Sequence, residues 1–204
     1  MRPINRQTLL GLTLITFGLA LLLIPLAHVE ITNQRATDRA HEIRQSIERS
    51  WSFPGAERRI AEIDDAALLY IPKLGIFGVP IVDGVDAKSL ASGVGRYPGV
   101  PRAGQPGNLA LAGHRTAHGE PFADIDDLEV GDVVLVRTEH STFRYRLLRD
   151  TVVTPDQTWV LGDVSERLGV PDNSPLISLI TCSPKWSTEK RWVWWGALID
   201  ERPA

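Results

Sequence analysis

The stretch PLISLITCSPKWSTEKRWVWWGAL, residues 175–198, reads as two β-strands joined by a short loop. Leu176 to Thr181 is apolar or hydroxyl-bearing, and the run stops at Ser183-Pro184 just after Cys182. A second run, Arg191 to Leu198, opens nine residues after Cys182. A connection this short lets the second strand start beside the end of the first, because consecutive elements are usually neighbours in space. Similar runs occur upstream at Leu68-Leu69-Tyr70-Ile71, Val79-Pro80-Ile81-Val82, Leu109-Ala110-Leu111-Ala112, Val133-Val134-Leu135-Val136, Phe143 to Leu148 and Thr151-Val152-Val153. Helical signals between them are short, chiefly Asp86 to Ser92 and Pro121 to Leu128. Many short strands with turn signals at roughly 8 to 12 residue spacing predict a sandwich or a closed barrel over residues 66–204.

Composition narrows the function. The 204 residues are 43% hydrophobic and 23% charged, the statistics of one domain with accessories. A net charge of -3 and the lack of a Lys/Arg-rich run exclude nucleic acid as partner. Thr8 to Ala27 holds 20 residues without a charge, about 30 Å as a helix, which predicts a membrane-spanning anchor. It is too long for the apolar region of a cleaved signal, roughly 7 to 15 residues. Arg2 and Arg6 precede it with no acidic residue, which places the N-terminus inside. The expected organisation is residues 1–7 cytoplasmic, 8–27 transmembrane, 28–65 an extracellular stalk and 66–204 the catalytic domain, in a single-pass protein of the cell membrane. In the stalk Ala36, Ala40, Ile43, Ile47 and Trp51 recur at helical spacing until Pro54-Gly55, a thin stripe for a helix that lies against the domain or spaces it.

Cys182 is the single cysteine, so no internal disulfide exists. By position alone it is a small buried hydrophobe or a reactive thiol at the rim of a sheet. His114 closes the run NLALAGHRT, again at a strand end, beside a Gly that permits close backbone approach. A thiol needs such a partner because only the thiolate attacks. His28, His41, His118 and His140 read as solvated surface residues. Two histidines four apart in a Gly-bracketed loop do not share a helix face, so a metal site at His114 and His118 is not expected. Arg191, at the start of the last strand, can bring a permanent cation to the thiolate and to a developing oxyanion.

These elements together, LALAGHRT at 109–116, SLITC at 178–182 and EKRW at 189–192, resemble the sortase family across about residues 66–200. GHRT and TCSP are most similar to the class E sortases of actinobacteria. The resemblance implies an eight-stranded β-barrel with short helices behind one N-terminal transmembrane helix. It implies a cysteine transpeptidase with Cys182 as nucleophile, His114 as acid and base, and Arg191 on the oxyanion. Thr181, Leu111 and Ala112 are implied as substrate-binding positions, and Trp159 to Ser174 as a loop covering the substrate. The implied partners are surface proteins with a C-terminal sorting signal of LAxTG or LPxTG type, a lipid II-like peptidoglycan-precursor amine and the cell membrane. No cofactor or metal is implied, and Tyr97 to Asn108 lack counterparts of the acidic calcium ligands of some class A enzymes. Alternatives are a pilin-polymerising enzyme or a catalytically silent surface binding module. Ser178 replaces a usual Thr, and Trp186, Trp192, Trp194 and Trp195 read as core or as groove lining.

Overall fold

The computed structural model describes residues 6–52 and 66–204. The expected N-terminal segment through residue 5, with Arg2, and the break at Pro54-Gly55 lie outside these residues. The chain begins with α1 (Arg6–Ser52), then β1 (Ala67–Ile71), β2 (Ile76–Asp83), α2 (Ala87–Leu90), β3 (Val94–Arg96), β4 (Gly107–Ala112), β5 (Val133–Arg137), β6 (Ser141–Val153), α3 (Ser165–Leu168), β7 (Pro175–Ser183) and β8 (Lys190–Pro203). The strands close a barrel in the order β1-β2-β3-β4-β7-β8-β6-β5. Closure leaves no sheet edge to pair with another chain.

Eight strands were expected and eight form, although not all the same ones. Phe143 to Leu148 and Thr151 to Val153 fuse into β6, which runs through two register shifts against β8. β3 is only three residues long and contains Gly95, too little for a periodic pattern to register. The helix expected over Asp86 to Ser92 is α2, whose first turn is capped by the Asp86 carboxylate accepting from the Lys88 and Ser89 amides. Pro121 to Leu128 supplies only a 3₁₀ turn at Ile125–Asp127.

Strand parity divides the interior. Leu109, Leu111, Ile177, Leu179, Trp194, Tyr145 and Leu147 fill the barrel. Ala110, Ile180, Val193 and Trp195 face the other side of the same sheet and are covered by Val160 and Val164 of the segment between β6 and β7. Burying Tyr145 pushes its hydroxyl up to about 12, and the phenol oxygen accepts from the Gly104 amide at 2.8 Å.

The membrane-spanning expectation does not hold. Among the described residues no helix is long and apolar enough to cross a membrane. The uncharged run is the start of one continuous 47-residue helix that carries on into polar, charge-mixed sequence. The assignment to the cell membrane, with a cytoplasmic N-terminus and an exposed catalytic domain, falls with it.

The later part of α1 lies against the barrel. Ala36 and Ile47 are buried. Arg44 Nη1 donates to the Phe77 carbonyl at 2.6 Å, and the Arg137 guanidinium sits 5.4 Å from the centre of the Trp51 ring. Asn33 Nδ2 donates to Glu120 Oε1 at 2.9 Å, which ties the helix to the loop after β4.

Candidate active site

β4 and β7 pair in parallel, with Ala112 opposite Ile180. The pairing continues past the strand end, where the Gly113 amide donates to the Ile180 carbonyl at 3.1 Å and Thr181 Oγ1 donates to the Gly113 carbonyl at 2.8 Å. His114 therefore leaves β4 level with the end of β7 that carries Cys182. On the other side β7 pairs with β8 in antiparallel register, and Cys182 stands directly opposite Arg191. Side chains directly opposite on antiparallel strands share one face, about 5 Å apart at Cβ. Three neighbouring strands thus bring a thiol, an imidazole and a guanidinium to one rim of the barrel.

Each is held differently. Cys182 is a half-buried free thiol. Arg191 Nη1 donates to the Thr188 and Lys190 carbonyls at 2.9 and 3.0 Å, which folds the guanidinium over its own turn. The His114 carbonyl accepts from the Phe122 amide, and a Cβ at Gly113 would come within 2.6 Å of the Phe122 ring, so only glycine lets that ring seal the strand end. His114 Nε2 is buried without a hydrogen-bond partner among the described residues. Burial, with the charge of His118 second, lowers the His114 pKa below the ordinary imidazole value and favours its neutral form.

His118 is not the solvated residue expected from the sequence. Its ring lies 4.8 Å from that of His114, in a loop where His118, Gly119 and Glu120 all adopt positive φ. Such a loop needs outside support, and α1 supplies it through Asn33. Tyr97 also belongs to the neighbourhood. Burial raises its hydroxyl pKa, with Arg191 pulling it down and Cys182 pushing it up, so the phenol lies within electrostatic reach of both.

The remaining sequence candidates separate by parity. Ala112 is on the same side of β4 as His114, whereas Leu111 is fully buried in the barrel core and contributes packing. Thr181 is buried, with its hydroxyl committed to the Gly113 carbonyl, so it fixes the backbone beside His114. Ser178 is buried as well and donates to Asn108 Oδ1 at 2.6 Å. Asn108 Nδ2 in turn donates to the Val160 and Gly162 carbonyls, both at 3.1 Å, anchoring the covering segment to β4. Trp195 Nε1 donates to the Val160 carbonyl and its ring lies 5.7 Å from that of Trp159. Trp194 is core, Trp192 lies over Arg115, and Trp186 is largely exposed. Arg115 and Asp126 were not among the site residues expected from the sequence; both follow the end of β4, where strand alternation no longer signals which residues are buried. Burial is the largest single influence on the Asp126 carboxylate and works against its charge, but the hydrogen bond and charge of Arg115, helped by a backbone hydrogen bond and by Lys185, together outweigh it and hold its pKa below the ordinary value. Among the described residues no group of three or more His, Cys, Asp or Glu is placed to hold a metal ion.

Comparison with known proteins agrees with this geometry. Residues 69–199 match the sortase domain model. Sortase SrtE1 of Streptomyces coelicolor is 34% identical over 95% of this chain, which spans 57% of that relative's length. Sortase D of Bacillus subtilis is 31% identical over 66% of the chain and 64% of its own length. The crystal structure of sortase E1 from S. coelicolor with a tripeptide in the active site superposes with a TM-score of 0.61 at 37% identity, covering 68% of this chain and 90% of that one. Sortase E from Streptomyces avermitilis gives the same TM-score at 32% identity, over 67% and 89%. The barrel, its strand order and the match over most of the domain make this chain a member of the sortase family, similar to its class E members.

Proposed function

We propose that the chain is a cysteine transpeptidase that cleaves a sorting signal of LAxTG or LPxTG type between Thr and Gly and joins the new C-terminus to an amine of a peptidoglycan precursor. The observation that carries this reading is the Cys182 and Arg191 pair across β7 and β8, with His114 entering from the parallel strand β4. In the first step the Cys182 thiolate attacks the Thr carbonyl carbon, and the oxygen becomes an anion beside the Arg191 guanidinium. Donors aimed at such an oxyanion typically supply about 100-fold to 1000-fold in rate. The C–N bond then breaks, a thioester remains on Sγ, and the Gly nitrogen leaves with a proton from protonated His114. In the second step an acceptor amine attacks the thioester, neutral His114 takes the proton, and Cys182 leaves as thiolate. The lowered His114 pKa makes it a ready base for the second step and a scarce acid for the first at neutral pH.

Residues 66–204 form the catalytic unit in this proposal, and the signal peptide would run past Ala112, alongside the segment that carries Val160 and Val164. The test is incubation of the protein with LAxTG and LPxTG peptides and an amine, read by mass spectrometry. A thioacyl adduct on Cys182 and an amide product are expected. The absence of both with either peptide would refute the reading.

A further inference from the structure

Arg115 is the one charged side chain buried among the described residues, at 4% exposure. Burying a cation is costly unless it is paired, and an apolar side chain of similar size often serves packing as well or better. Three groups compensate it. Its Nη2 lies 2.8 Å from Asp126 Oδ1 in the turn after the His114 loop. Its guanidinium carbon lies 5.3 Å from the centre of the Trp192 ring. Its Nη1 donates a long hydrogen bond of 3.5 Å to the carbonyl of Cys182. Trp192 is itself fixed, because its indole N–H donates to Asp150 Oδ2 at 2.9 Å. One guanidinium thus touches the residue carrying the thiol, the neighbour of Arg191 and the turn that follows the His114 loop.

We propose that Arg115 is a positioning residue for transfer: clamped between Asp126 and the Trp192 ring, it holds the backbone at Cys182 and the start of β8, and so fixes the spacing between the thiol and the Arg191 guanidinium. This rests on the assignment of Cys182 and Arg191 made above. Because Arg115 lies behind the strands, on the side away from the substrate face, its removal changes the step in which both groups act on one carbonyl more than it changes peptide capture. A misplacement of about 1 Å can cost on the order of 100-fold in turnover.

The experiment measures kcat and KM for transfer from an LAxTG peptide to glycinamide with the full chain. Arg115→Met is expected to lower kcat by roughly 30-fold to 100-fold with KM within about threefold. Arg115→Lys keeps the charge but not the fork, and is expected to recover part of the loss. Asp126→Asn, a change at a half-exposed carboxyl, is expected to lower kcat alone and to a smaller extent. Combined with Arg191→Ala, Arg115→Met should cost less than it does alone, since the group it positions is gone. If Arg115→Met does not fold, Asp126→Asn decides, and an unchanged kcat there overturns the proposal. Turnover within threefold of the parent in folded Arg115→Met overturns it too, as does a loss borne by KM. Transfer that survives Cys182→Ala would instead defeat the site assignment, and the role of Arg115 with it.

Discussion

The buried contact between Asn108 and Ser178 gives a quantitative test of how the covering segment is held. Asn108→Leu is close in shape but removes an acceptor and two donor contacts. The Val160 carbonyl keeps a partner, because Trp195 Nε1 still donates to it at 3.2 Å. The Gly162 carbonyl loses its side-chain donor, and the Ser178 hydroxyl, fully buried, loses its acceptor. A net hydrogen bond is worth about 0.5–1.5 kcal/mol and an orphaned buried polar group costs about 1–3 kcal/mol, so the expected loss is about 3 kcal/mol. Ser178→Ala alone strands Asn108 Oδ1 and should cost about 1–2 kcal/mol. In the Asn108→Leu background the same Ser178→Ala change removes the orphan and should stabilise by about 1–2 kcal/mol. The assay is urea unfolding of the four proteins of the cycle, with a common m-value required for the comparison. A Ser178→Ala cost that is equal in both backgrounds would refute the claim that this pair acts as one buried unit. The KM for sorting peptide should rise in Asn108→Leu, because the untied segment is the one proposed to cover it.

Other outcomes follow from the site and from α1. Cys182→Ala should lose both the thioacyl adduct and the product, since no second thiol exists to replace it, and Arg191→Lys should lower kcat by about 100-fold or more with little change in KM, both read by peptide-amine transfer. His118→Gln removes the charge that helps depress His114; the imidazole pKa should rise without reaching the ordinary value, because burial is the larger cause, and the alkaline limb of kcat/KM should move to higher pH. The depressed His114 pKa also means that the unfolded chain binds a proton more readily there, so stability is greatest above the ordinary imidazole range and falls as pH drops through the depressed value, which urea midpoints across that range will check. Ile47→Ala should loosen α1 from the barrel at a cost of about 2–4 kcal/mol to that contact, visible as earlier proteolysis within residues 29–52 while the barrel resists.

Much of the barrel was legible because strand signals need only a few alternating or apolar residues, and β7 and β8 carry them without interruption. What escaped was non-local. The fusion of β6 depends on register shifts opposite β8, and β3 holds its place through pairs with β2 and β4, with no pattern of its own. At the site, the residue types and strand-end positions of Cys182, His114 and Arg191 could be read from order and spacing. The setting of His118 could not, because it depends on a loop of three positive-φ residues braced by a helix more than 80 residues upstream. Leu111 and Ala112 were both expected at the substrate, but adjacent residues of a strand point to opposite faces, and Leu111 packs into the barrel core.

The parallel contact of β4 with β7 joins Gly113 to Thr181 across 68 residues, whereas Cys182 meets Arg191 within a single hairpin. Local hairpins form in about 1–10 μs, while long-range parallel pairing must first meet the entropy of closing a large loop. During refolding the thiol and its guanidinium should therefore meet well before the imidazole arrives. A half-folded chain would carry a nucleophile with its oxyanion partner but no proton donor for the leaving amine, so recovery of transfer should lag the first β-sheet signal and coincide with barrel closure.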